Sequence, residues 1–184
     1  SKCTNCGMCI RVCDNKITTK KNTITAFSVK HHDSTVLKQS SSGGASRAFC
    51  ESIINAGGVV YGVAYTSDFK VEIKRATSLE ECDTFYGSKY VAVNPNNAFK
   101  HIYADLKDNR QVLFLSTSCH VAGLLTYLEY KKCDLSKLVT VDLICHGTPS
   151  PLIFDDYVKF VNQRHDLFKI DFRSKRLPWK HGTY

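Results

Sequence analysis

The stretch VLFLSTSCHVAGLL (residues 112–125) changes period half-way along. Val112, Leu113, Phe114 and Leu115 run apolar without a break, as a strand covered on both faces does. Val121, Leu124, Leu125 and then Leu128 recur at helical spacing. Ser116, Thr117, Ser118, Cys119 and His120 fill the turn between them. An apolar strand running into an amphipathic helix is half of a βαβ unit and predicts a largely parallel sheet. Such sheets bind ligands in the crevice outside the carboxyl ends of their strands. The polar turn is therefore a candidate site as well as a connection.

The flanking sequence repeats the alternation. Ala45, Ala48, Phe49, Ser52, Ile53 and Ala56 predict one helix face, stopped by Gly57–Gly58. VVYGVAY and KVEIKRA follow as strands, then a short acidic helix, SLEECDTF. Phe99, Ile102, Tyr103 and Leu106 mark another helix before residue 112. Beyond it, VTVDLIC reads as a strand, and Ile153, Phe154, Tyr157, Val158 and Val161 as a last helix. Upstream, residues 14–39 read as a polar connector with a short strand near Ala26–Val29. Two more stretches fall at this edge: QSSSGGAS, leading into a helix N-terminus that favours an anionic phosphate, and DLICHGTPSP, with Cys145 and His146 at a strand end.

The chain opens on CTNCGMCIRVCD. Cys3, Cys6, Cys9 and Cys13 have the C-x2-C-x2-C-x3-C spacing of bacterial-type ferredoxins, which hold 4Fe–4S clusters. Zinc sites more commonly pair two C-x2-C knuckles across a longer spacer. Asp14 stands where Pro usually follows the fourth cysteine. In two-cluster ferredoxins that fourth cysteine serves the other cluster, so a twin motif is expected upstream of Ser1.

At 184 residues and 43% apolar content the chain suits a domain of ordinary size with a small appendage. No apolar run approaches the ~20 residues of a membrane span. The net charge of +8 is scattered, without the basic or aromatic stripe of a nucleic-acid module. Nine cysteines without a secretory pattern predict metal ligation in a reducing, cytoplasmic setting rather than a disulfide scaffold. The start at Ser1 and the abrupt end after DFRSKRLPWKHGTY read as a piece of something longer.

Taken in order, SSGG (41–44), GGVVYGVAY (57–65), GSKYV (87–91), VLFLSTSCHVAGL (112–124), VDLICHGTPSP (141–151) and IDFRSKR (170–176) resemble the coenzyme F-420 hydrogenase/dehydrogenase beta-subunit family. The amino-terminal cysteine run is similar to its bacterial members with a fused ferredoxin domain. The resemblance implies an iron–sulfur flavoprotein oxidoreductase. It would pass electrons between a 4Fe–4S cluster, FAD and a deazaflavin-like or other acceptor. It implies an α/β fold: a mostly parallel sheet flanked by helices, preceded by a small ferredoxin-like iron–sulfur segment. The expected division is a partial ferredoxin-type segment (1–26), the α/β domain (27–165) and the start of a truncated C-terminal domain (166–184). Ser42, Gly43, Gly44, Gly87, Ser88, Lys89, Tyr90 and Thr117 would then face the flavin nucleotide. Cys119 matches the family's Thr-Pro-Cys motif, with Ser118 in place of Pro and His120 in place of Gln. Cys145 matches a strand-end cysteine suited to a second cluster. A redox partner protein or a small-molecule acceptor is implied, with assembly into an oligomer or complex.

Read from the residues, Cys119 and Cys145 remain either metal ligands or small apolar side chains. Cys50, Cys82 and Cys133 read as the latter, without partners. His120 and His146 could donate protons, though no residue is singled out as catalytic. The alternative to an enzyme is an electron-transfer adapter that holds a cluster and no flavin.

Overall fold

The computed structural model describes residues 25–172. In chain order these form α1 (Ser34–Gln39), α2 (Ala45–Asn55), β1 (Val59–Tyr65), β2 (Val71–Ala76), α3 (Leu79–Asp83) and α4 (Ala98–Lys107). They continue as β3 (Val112–Thr117), α5 (Ser118–Tyr130), β4 (Leu138–Leu143) and α6 (Pro151–Asn162). The four strands make one sheet in the order β2-β1-β3-β4. β1 pairs parallel with β3, and β3 parallel with β4. β2 departs from the parallel pattern: it folds back on β1 as an antiparallel hairpin, Val60 opposite Ala76 and Tyr65 opposite Val71. The link 66–70 is short enough for a hairpin and too short for the crossover a parallel neighbour needs.

Alternation along the strands sorts side chains into two cores. Val59, Tyr61, Val112 and Phe114 face α4 and α5, meeting Ile102, Leu106, Val121, Leu124 and Leu128. Val60, Leu113 and Leu115 face the other way, onto Cys50 and Ile53 of α2 and Cys82 of α3. The result is an α/β/α sandwich. Five of the six residues of β3 are buried, as its unbroken apolar run requires.

Three details differ from the sequence reading. No strand forms at 26–29, where Phe27 and Val29 are exposed, while α1 forms inside the connector, capped by Asp33. The inward face of α2 is rotated: Cys50 and Ile53 are buried and Phe49 is exposed, because Arg47 occupies the inner side opposite α3. On α6 only Phe154 is buried; Ile153 and Tyr157 are exposed. The proposed ferredoxin-type segment, with Cys3, Cys6, Cys9 and Cys13, lies outside the described residues.

Candidate functional site

The turn at Gly57–Gly58 reverses the chain between α2 and β1, so the two run antiparallel. Gly58 must be glycine, since a Cβ there would lie 2.7 Å from the Gln111 carbonyl oxygen. This reversal brings the N-terminus of α2 to the carboxyl edge of the sheet. Gly44 is its N-cap, in the left-handed region at φ 81°, and no side chain caps the first turn. The N–H groups of that turn thus lack a capping side chain, an arrangement that favours an anion. Gly43 allows a close crossing: its carbonyl accepts from the His31 N–H at 2.7 Å, and any Cβ would meet the Val29 carbonyl oxygen. His31, itself buried, accepts from the Asp33 N–H at Nδ1, which leaves Nε2 to donate to Glu51 on α2.

The second stretch lies beside the first. The Ser41 and Ser88 hydroxyls are 3.2 Å apart. Gly87 (φ 78°) has open space where a Cβ would stand. The Lys89 ammonium donates to the carbonyls of Tyr86 (2.9 Å), Thr84 (3.2 Å) and Gly87 (3.3 Å), and lies 5.6 Å from the centroid of the Tyr65 ring. Burial pulls its pKa down to about 8. Lys89 therefore shapes the 84–89 loop through carbonyls, with no carboxylate in ion-pair contact among the described residues. Tyr90 is largely exposed and meets Phe172 edge-on, while Phe172 packs on Phe154 and Phe154 on Tyr65. Tyr65, at the carboxyl end of β1, holds a buried hydroxyl with no hydrogen-bond partner among the described residues. Burial raises that phenol to about 12.

Thr117 is the N-cap residue of α5, again with no side-chain cap bond; its hydroxyl lies 3.3 Å from the Cys119 sulfur. His120 bonds through Nδ1 to the Ser116 hydroxyl (2.9 Å), with the Thr117 hydroxyl at 3.5 Å. Burial lowers its pKa, partly offset by a bond to the Val93 backbone. The ring thus lies between the end of β3 and the Val93 backbone. The Ala92 N–H in turn donates to the Pro149 carbonyl at 3.3 Å. The segment 88–93 thus threads the three expected stretches together.

Thr117 and Leu143 are register partners in β3 and β4, so Cys119 and Cys145 each leave the same edge two residues later. Both are exposed. The Cys145 sulfur accepts from the Gly147 N–H at 3.3 Å, and Ser118 donates to Asp142 at 2.7 Å. Among the described residues no group of three or more His, Cys, Asp or Glu side chains could hold a metal ion. Any ligand set containing these two sulfurs needs donors from outside that part of the chain.

Three features had no sequence signal. Cys50 and Cys82 share one core cluster, although they belong to different helices, and both are buried as expected; Cys133 is partly exposed. Arg47 bonds Glu51, the Leu79 carbonyl and Asp83, joining α2 to α3. Pro149 reaches Ala92 across the site. Tyr65 was within reach of the strand-end rule, since it closes an apolar run.

No protein-family model and no curated protein matches the chain. Among solved structures it resembles a chain of the F420-reducing [NiFe] hydrogenase complex from Methanosarcina barkeri, with a TM-score of 0.59. The identity is 16%, and the match covers 74% of this chain and 49% of that one. The likeness is one of fold, and the chain spans about half the length of that neighbour. No helix among the described residues is long and apolar enough to cross a membrane.

Proposed function

We propose that the chain is the nucleotide-binding part of an iron–sulfur flavoprotein oxidoreductase that works as a subunit of a redox complex. Electrons would pass between a 4Fe–4S cluster, FAD and a deazaflavin-like or other acceptor. The observation that carries this reading is the Ser41–Ser88 contact, which joins two distant stretches beside an uncapped helix N-terminus at the carboxyl edge of the parallel strands. The fold neighbour, part of an F420-reducing hydrogenase complex, is consistent with it.

The residues present suit a dinucleotide. The first turn of α2 offers N–H donors to a pyrophosphate, with Ser42 and Gly44 beside them. Gly87 leaves room for close approach, and the carbonyl-bound Lys89 adds a half-buried positive charge that an anion would balance. Thr117 offers a hydroxyl at a second uncapped helix N-terminus. When bound, FAD would supply the conversion between one- and two-electron transfer. Cys3, Cys6, Cys9 and Cys13 are the proposed cluster ligands, with Cys119 and Cys145 proposed for a second cluster completed by sulfurs from elsewhere.

The test is a visible spectrum, with flavin and iron analysis, of the intact protein purified without oxygen. Flavin bands with stoichiometric FAD and iron are expected. Iron–sulfur absorption without flavin would turn the reading toward the adapter, and colourless protein would end both.

A further inference from the structure

Helix α6 carries two apolar faces, and the described fold uses one of them. Phe154, Val158 and Val161 recur at i, i+4 and i+7 and turn inward. Phe154 is buried and packs on Tyr65 and Phe172, and the two valines are half-buried. Ile153, Tyr157 and Phe160 recur at the same spacing on the neighbouring face, yet they are 66%, 61% and 54% exposed. Leu152 just before them and Phe168 beyond the helix are more exposed still. A helix apolar over so much of its circumference is ordinarily enclosed, and an apolar patch of this kind marks a contact surface.

The charges beside the stripe say what the contact is. Asp155 and Asp156 lie in the first half of α6, and Lys159 and Arg164 follow toward and beyond its end. Asp156 and Lys159 are both largely exposed on one flank of the stripe, 3.6 Å from carboxylate oxygen to ammonium. The Arg164 guanidinium closes the far end, 3.7 Å from the centroid of the Phe160 ring. An identical helix running the opposite way presents its basic half to the acidic half of the first, and its dipole opposes the first one's. One running the same way sets acid against acid.

We propose that the Ile153–Tyr157–Phe160 face of α6 pairs antiparallel with the same face of a second copy of this chain. Such a contact is self-complementary about a two-fold axis. With Ile153 opposite Phe160 of the second copy, the axis passes between Asp156 and Tyr157, and the two Tyr157 rings meet at the centre. Antiparallel helices bring like flanks together, so Asp156 meets Lys159 of the second copy, and the pair occurs twice. The apolar stripes supply the affinity and the rim charges fix the direction. A contact of this extent stands at the small end of specific interfaces, so association in the micromolar range is expected. The pairing holds whether or not the carboxyl edge of the sheet binds a flavin.

The experiment follows the sedimentation of the intact protein over a micromolar concentration series, where a reversible monomer–dimer equilibrium is expected. Tyr157→Lys sets two like charges against one another at the axis and should weaken the dimer roughly a hundredfold. Asp156→Lys and Lys159→Asp each place like charges across the contact and should weaken it roughly tenfold. The double variant Asp156→Lys/Lys159→Asp should return to the parent affinity, as an antiparallel contact between identical chains requires. The proposal is overturned if the unsubstituted protein stays monomeric throughout, the result expected where another protein or another part of this chain covers the face. It is equally overturned if the dimer is indifferent to Tyr157→Lys, or if the double variant does not recover. Should the variants not fold, carbodiimide cross-linking of a mixture of ordinary and 15N-labelled parent protein decides the matter. Asp156 of one copy should be joined to Lys159 of the other in a light–heavy peptide pair, and the absence of that pair overturns the proposal.

Discussion

Two charges shielded from water sit along β1, Asp105 at Tyr61 and Lys89 at Tyr65, and the chain treats them differently. Asp105 on α4 accepts the Tyr61 hydroxyl at 2.6 Å and both Arg75 nitrogens at 2.8 and 2.9 Å, with Arg110 at 3.5 Å. Burial alone would raise its carboxyl, but the bonds from Arg75 and Tyr61 outweigh it and hold the group below the ordinary carboxylate range. Lys89 is half-buried, and its protons go to three neutral carbonyls. One site is electrically closed and stabilises the fold; the other keeps a surplus positive charge near the carboxyl end of β1. The contrast separates a charge neutralised within the fold from one met only by carbonyl dipoles.

Removing the carboxylate tests the first half most severely. Asp105→Ala leaves Arg75 and the Tyr61 hydroxyl without their acceptor and should destabilise the protein by about 3 kcal/mol, in the range for breaking a buried pair. Urea unfolding would measure it; a loss no larger than that of an exposed ion pair would show that Asp105 is not the closed site described. Tyr61→Phe removes one donor and keeps the Arg75 pair, so roughly 1 kcal/mol is expected by the same method. Both Tyr61 and Asp105 gain from their bond, and the Tyr61 hydroxyl is held well above its ordinary pKa by burial and by that carboxylate.

Lys89→Met should behave in the opposite sense. Replacing a half-buried charge that meets only carbonyls by a chain of similar length should leave stability within about 1 kcal/mol near neutral pH, while FAD retention falls roughly tenfold by equilibrium dialysis. A large loss of stability with unchanged flavin binding would reverse the contrast. The pH dependence carries the same signature. Lys89 titrates near 8 in the folded chain against an ordinary 10.5, so between those values the unfolded state holds the proton that the folded state has lost. Stability from this group therefore rises with pH from about 8 to 10.5, and below 8 its burial penalty is present in full. Followed over that window, the stability of the parent relative to Lys89→Met should rise with pH. The smallest effect belongs to Ser41→Ala, which loses a single partly buried hydroxyl contact and should cost at most about 0.5–1 kcal/mol in thermal or urea unfolding.

The fold was legible wherever one period dominated. The unbroken run at 112–115 is buried on both faces, as a central strand must be, and the Phe99–Leu106 face is the face that α4 buries. Reading failed where a long-range partner decided the matter. Phe49 fits the helical face by spacing, yet Arg47 claims the inner side because Asp83 and the Leu79 carbonyl wait across α3. Nothing local in KVEIKRA distinguishes an antiparallel hairpin from a parallel neighbour except the brevity of the preceding link. At the site, the helix-start reading selected 41–44 and the family resemblance 87–90, two stretches that meet through Ser41 and Ser88. Neither could show that Lys89 turns inward to carbonyls, since a lysine's direction follows from the loop around it. Cys50 and Cys82 were opaque for the same reason: each looks solitary until two helices are docked.

Gly62 sits in the middle of β1, and a Cβ there would come within 2.6 Å of the Phe85 ring. Phe85 stands at the head of the loop that carries Gly87, Ser88 and Lys89. A methyl group at residue 62 would collide with the ring, and the loop would have to move with it. The bare α-carbon in that strand interior is what lets the loop's aromatic anchor lie against the sheet.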